Sequence, residues 1–276
     1  MKTIVVGTDF SEAANNACSF AYELAKSFNA KLIIYSAYHE VPIAFPEMPV
    51  IATPEDMRAF VEQQLEQAVK QLNVMPGISV ETICSERPAT NGIIEIAKAK
   101  QADLLVTGMK GAGKGFRKVF GSTVSSLINK TTLPLIVVPE DKKYTDINTI
   151  ALANESDVTP GTDDHLLAPL REVVEKFHSK LYLVRVSSNK IKEAFAILYS
   201  PSTIKRMIKD LNPEYESIEG KDITEALNDF IEEYQVDMLA MLSHHHSLLS
   251  RWLGGSTTEK MIFETEIPLL VIPVDK

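Results

Sequence analysis

Cysteine is nearly absent from this 276-residue chain: it occurs only as Cys18 and Cys84, whose spacing suits no metal site. A chain of this size with two cysteines does not depend on disulfides, which fits a reducing cytoplasm. No apolar run approaches the ~20 residues that cross a bilayer, so a membrane protein is not expected. The opening MKTIVVGTDF lacks the longer apolar stretch and small-residue cleavage site of a signal peptide and reads as a first strand. Positive charge is also in short supply, 28 Lys and Arg against 37 Asp and Glu for a net −9, which argues against nucleic acid as a partner. Glycine is sparse too, at twelve residues, yet five of them fall in GMKGAGKGFRKVFGST, residues 108–123. The same stretch carries Lys110, Lys114, Arg117 and Lys118.

What the chain has in place of these is repetition. ADLLVTGMKGAGKGFRKVFGSTVSSLINKTTLPLIVVP aligns without a gap on VDMLAMLSHHHSLLSRWLGGSTTEKMIFETEIPLLVIP. That register pairs Asp103 with Asp237, Arg117 with Arg251, Gly121-Ser122-Thr123 with Gly255-Ser256-Thr257, and Pro134 with Pro268. Upstream, KTIVVGTDFS answers NTIALANESD and FNAKLIIYSA answers FHSKLYLVRV. Internal repetition fixes architecture before any motif is read. The chain is two copies of one domain, expected at residues 1–140 and 147–276.

Within the first copy, short apolar runs predict strands near 3–7, 31–37, 78–84, 102–107 and 134–138, with helices over 11–28, 55–73, 89–100 and 121–131. Ala13, Ala17, Phe20, Ala21, Leu24, Ala25 and Phe28 share one helical face, with Ser11 or Asp9 available as N-cap. Runs such as TIVVG are apolar on both sides of the pleat, as buried parallel strands are. Alternating βα units give the fold class α/β, a parallel sheet flanked by helices. The second copy lacks about fifteen residues after its second strand, where the first has the proline-rich HEVPIAFPEMPVIATPED, read as a long loop. The short join between the copies and their apolar last strands, PLIVVP and PLLVIP, predict that the halves pack as an internal pseudo-dimer; a further homodimer remains open.

Segment 108–123 falls between the fourth strand and the next helix, where open α/β sheets bind ligands. Glycines bring backbone N–H groups against oxygens, a helix N-terminus adds partial positive charge, and Ser122 and Thr123 add hydroxyls. This is chemistry for phosphate. It is neither the P-loop pattern nor a G-x-G-x-x-G after a first strand. Its spacing is Gly108, Gly111, then Gly121-Ser122 nine residues on, and here the sequence resembles the universal stress proteins, whose ATP-binding members carry Gly-x2-Gly-x9-Gly-(Ser/Thr). IVVGTDFSE, ADLLVTG and LPLIVVP are also typical of that family.

The resemblance implies two tandem Rossmann-like (adenine nucleotide alpha hydrolase-like) domains, each a five-stranded parallel sheet of order 3-2-1-4-5. It also implies ATP, with magnesium, across the ends of strands one and four. Thr8, Asp9 and the backbone at Ala37 would meet adenine and ribose. Thr107 and Gly108 would line the floor, and Gly111, Gly121, Ser122 and Thr123 would hold the phosphates. From the residues alone, Asp9 is equally readable as a helix cap, and Lys110 and Lys114 as a solvated loop. In the second copy Leu242 replaces Gly108, His245 replaces Gly111 and Glu155 replaces Asp9, so its site is degenerate. His244, His245 and His246 are adjacent, and neighbouring side chains diverge too much to favour one metal ion. The leading expectation is an ATP-binding stress-response or signalling module with no catalytic residues. The alternatives are a slow magnesium-dependent ATPase or adenylate-handling enzyme, and a scaffold with a fixed structural nucleotide.

Overall fold

Thirteen of the first unit's strand residues, among them Ile4, Val5, Val6, Leu104, Leu105 and Val106, are wholly shielded from solvent, which is what doubly apolar strands require. In the computed structural model the described residues are 1–38, 53–110, 122–154, 163–187, 203–219, 223–243 and 266–274. They fall into two compact units, the first holding most of the chain up to Tyr144 and the second most of it from Thr145 on.

The first unit runs β1 (Thr3–Gly7), α1 (Glu12–Phe28), β2 (Lys31–Tyr38), α2 (Pro54–Gln71), β3 (Val80–Glu86), α3 (Ala89–Ala99), β4 (Leu104–Met109), α4 (Ser122–Lys130) and β5 (Leu135–Pro139). Its strand order is β3-β2-β1-β4-β5. Strand β1 pairs in parallel with β2 and β4, and β2 with β3, with Val6 opposite Val106 and Gly7 opposite Tyr35. The second unit runs β6 (Thr149–Asn154), α5 (Ala168–Phe177), β7 (Lys180–Ser187), α6 (Thr203–Ile208), a 3-10 turn (Lys209–Leu211), β8 (Glu214–Glu219), α7 (Ile223–Glu233), β9 (Met238–Ser243) and β10 (Leu269–Pro273). Its order, β10-β9-β6-β7-β8, is the same topology.

The expected elements form, with three shifts. Strands β3 and β4 begin and end about two residues later than the apolar runs suggest, so Cys84 lies inside β3 and Gly108 inside β4. The end of the proline-rich stretch is helical: Thr53 caps α2 in a reciprocal box with Asp56, and Pro54 takes the first turn, where its missing N–H costs nothing. On α1, Ala13, Ala17, Phe20, Ala21, Leu24 and Ala25 are buried as the period requires, while Phe28 is half-buried. Each large side chain so buried contributes about 1.5–3 kcal/mol.

The repeat recurs in atomic detail. Asp103 Oδ2 accepts the backbone N–H groups of Lys2 and Thr3 at 2.6 and 2.8 Å, and Asp237 Oδ2 accepts those of Asn148 and Thr149 at 2.9 and 3.0 Å. Each aspartate thus closes the amino end of its unit's central strand. Left-handed residues also recur in pairs: Asn29 (φ 51°) with His178 (φ 54°) ends the first helix, and Gln101 (φ 51°) with Gln235 (φ 49°) precedes the fourth strand.

Candidate functional site

The order β3-β2-β1-β4-β5 places the point where the chain changes direction between β1 and β4. One step beyond the Val6–Val106 pair, Thr107 lies beside the end of β1, and the Thr8–Asp9 turn leaves β1 at the same level as Gly108. The sheet therefore brings together Thr8, Asp9, Thr107 and Gly108 from two segments about a hundred residues apart.

Thr8 is buried at 7% exposure. Its N–H donates to the Tyr35 carbonyl at 2.9 Å, and its Oγ1 accepts the N–H of Phe10 at 2.9 Å. Phe10 has φ 63°, a conformation that a bulky residue adopts only when its surroundings impose it. The resulting kink leaves Asp9 exposed at the tip. Asp9 Oδ1 accepts both the N–H and the hydroxyl of Ser11, at 3.1 and 2.5 Å. Ser11, not Asp9, is the N-cap of α1, its Oγ accepting the Ala14 N–H at 3.3 Å. Beneath the turn lies Cys18. Burial pushes its thiol up to about 12, a hydrogen bond with Thr8 pulls it partly back, and the Asp9 charge adds to the rise. A thiol held neutral in this way is no nucleophile.

Gly108 works by close approach. A Cβ built there would lie 2.4 Å from the Ala13 carbonyl oxygen and 2.9 Å from the Ala14 nitrogen, so the missing side chain lets the first turn of α1 rest on β4. Its φ is not positive; among the described residues the glycine with that property is Gly77. The obstacle to a larger residue here is therefore collision with a helix and not backbone strain. Asn16, one turn further along α1, is buried and donates from Nδ2 to the carbonyls of Pro139 and Lys142 at 2.9 and 2.8 Å. This anchor ties the same helix to the end of β5, and no motif advertised it.

Ala37 lies inside β2, opposite Ser85, and is half-buried one residue from the strand's end. Ser122 and Thr123 open α4 with both side chains exposed, and Lys110 is exposed beyond β4. Gly111, Lys114, Arg117, Lys118 and Gly121 lie outside the described residues, as do Glu155, His244, His245, His246, Arg251, Gly255 and Ser256. Among the described residues no group of His, Cys, Asp and Glu is placed to hold a metal ion, and no helix is long and apolar enough to cross a membrane.

The second unit differs where Gly108 mattered. Leu242 stands at that place in β9, 4% exposed. Counted back from the shared Phe-x-x-Lys-Leu, α5 begins at the position of Ser19, with 10 residues against the 17 of α1. Its N-cap position, Leu167, makes no side-chain capping bond. The second unit thus has a side chain in place of the glycine, and its corresponding helix begins at Ala168.

A family model described as the universal stress protein family matches residues 1–139 and 172–273. The chain belongs to the universal stress protein family. It carries two family domains, with the parallel α/β sheet and flanking helices of that family. A universal stress protein of Methanocaldococcus jannaschii is 30% identical over 145 residues, 51% of this chain and 84% of that protein. One from Synechocystis is 31% identical over 138 residues, 50% of this chain and 85% of its own. These matches have the length of one unit. A solved universal stress protein from Archaeoglobus fulgidus superposes with a TM-score of 0.70 at 17% identity, covering 99% of this chain and 98% of its own, which speaks for the fold.

Proposed function

We propose that the first unit, residues 1–140, binds ATP with magnesium and acts as a stress-response or signalling module rather than a fast enzyme, while the second, residues 147–276, has lost that site. The observation that carries this reading is the convergence of Thr8, Asp9, Thr107 and Gly108 at the strand-order switch, on the carboxyl side of which the glycine-rich crossover begins. The residues suit the ligand. Ser122 and Thr123 offer exposed hydroxyls at the start of a nine-residue helix, whose free N–H groups favour phosphate. Asp9 uses Oδ1 on Ser11, and its other oxygen has no hydrogen bond among the described residues, so it suits a ribose hydroxyl or magnesium. Magnesium would supply charge neutralisation for the phosphates when bound. Gly111 and Gly121 complete the phosphate side of the reading, and Ala37 the adenine side.

Calorimetric titration of the full chain with ATP and magnesium tests this, with one site per chain as the expected result. Gly111→Val removes binding and Gly255→Val leaves it nearly unchanged. No heat in the parent refutes the nucleotide reading, and two sites refute the loss in the second unit. Phosphate release is expected orders of magnitude below the roughly 1–100 s⁻¹ of kinases. Turnover in that range, abolished by Asp9→Asn, overturns the non-enzymatic reading. The pairing of the two halves expected from their last strands belongs to the same proposal; sedimentation of residues 1–140 as a stable monomer contradicts it.

A further inference from the structure

The strand KLYLVRVS of the second unit interrupts an apolar run with an arginine, at the place where the first unit has Ser36. Arg185 Nε is the buried side-chain nitrogen or oxygen that has no hydrogen-bond partner among the described residues. The other arginines described in this unit are paired: Arg171 with Asp210 at 2.5 Å and Arg206 with Asp164 at 2.7 Å. A guanidinium keeps its charge at any ordinary pH, and burying one of its donors without an acceptor is costly. Such a group in a native fold calls for an explanation, and a bound anion supplies one.

The position of Arg185 says what kind. In register it lies between Asn154 of β6 and Ser217 of β8, near the carboxyl end of the sheet. Its neighbours in that row are neutral hydrogen-bonding groups, and no carboxylate stands in it to neutralise it. Alternation puts Arg185 on the face opposite Tyr182, and Tyr182 packs edge-on against Phe230 and Tyr234 beside α7, at 5.6 and 5.0 Å. Arg185 therefore looks to the other face. In the first unit the matching face is covered at Thr8 by α1, through Cys18. In the second the corresponding helix starts only at Ala168, two turns late.

We infer that the second unit binds a compact oxyanion, a phosphate group either free or carried on a small molecule, on the Arg185 guanidinium flanked by Asn154 and Ser217. The planar fork of arginine matches two oxygens of a phosphate with two parallel N–H donors, which an ammonium group cannot reproduce. An amide and a hydroxyl on either side supply further donors. The site is built from other residues than the glycine motif of the first unit and does not rest on the ATP reading.

The test is calorimetric titration of the full chain with sodium phosphate at constant ionic strength, with and without saturating ATP, followed by the same titration with glycerol phosphate. One phosphate site that survives ATP saturation is expected. Arg185→Met should weaken it at least tenfold and Arg185→Lys at least threefold, with far-ultraviolet circular dichroism and ATP binding as in the parent. If Arg185→Met does not fold, Arg185→Lys decides alone. Tighter binding of glycerol phosphate assigns the anion to a small-molecule ester, and equal binding assigns it to free phosphate. No phosphate binding in the parent, binding that ATP abolishes, or Arg185→Lys binding as tightly as the parent overturns the inference.

Discussion

At Gly108 the nearest obstacle to a side chain is backbone, 2.4 Å away, and backbone at the start of a capped helix cannot step aside. At Gly7 a Cβ would meet the Cδ1 of Ile93 at 2.9 Å, the far end of a flexible chain that can rotate. Gly108→Ala is therefore expected to cost about 1–3 kcal/mol, as overpacking does, and Gly7→Ala distinctly less. Urea unfolding of the two variants compares them directly. The two thiols separate just as clearly. Cys18 is 2% exposed with its pKa pushed up to about 12, whereas Cys84 is half-buried, with burial and the nearby Glu62 charge raising it more modestly. Folded protein at neutral pH should release one equivalent in a thiol assay, slowly and from Cys84, and a second only on unfolding. For Cys18 the folded state keeps a proton that the unfolded chain gives up near pH 8.5. Its contribution to stability is whole below that pH and is lost as pH rises towards 12, so Cys18→Ala should show a shallower alkaline decline. The burial of Cys18 on its helix was legible in the sequence, whereas the close approach at Gly108 was not, because the helix that rests on it comes from a segment about a hundred residues away.

The elements were legible to the extent that their signals are local. Apolar runs gave β1, β2 and β5 within a residue or two, and the alanine-rich period gave α1. The end of β4 was misplaced because Gly108 looks like the start of a loop, although it extends a strand lying against a helix. Left-handed Gln101 and Gln235 were invisible for a different reason: glutamine carries no turn signal, yet each takes the left-handed place just past a helix end, where the next N–H bonds back into the helix, Ala102 to Ala97 and Val236 to Ile231. The shared Asp103 and Asp237 stood out as landmarks of the repeat, but their task emerged only with the fold. Each gathers two N–H groups at the mouth of a central strand. Charge-assisted bonds of this kind contribute about 1.5–3 kcal/mol each at most. Asp103→Ala and Asp237→Ala are expected to destabilise by similar amounts, measured by thermal unfolding. A large difference between them would deny that the two residues do the same work.

At the scale of the whole molecule, the sequence disclosed the duplication and the shared topology, since gapless self-alignment needs no structure. It also disclosed Leu242 in the place of Gly108, but not the start of α5 at Ala168, which only the fold reveals. One ATP per chain is the stoichiometry this asymmetry predicts. It also makes the divergence of the two copies hard to reverse. Replacing Leu242 by glycine removes a buried side chain, at about 2–5 kcal/mol, and supplies none of the missing helical turns. Enlarging Gly108 drives a side chain into a helix already in place. Either copy must therefore cross less stable ground before it can come to resemble the other. The divergence works as a ratchet: a reverse path by single substitutions is closed, and the second unit is free to take up a different ligand without drifting back to the first.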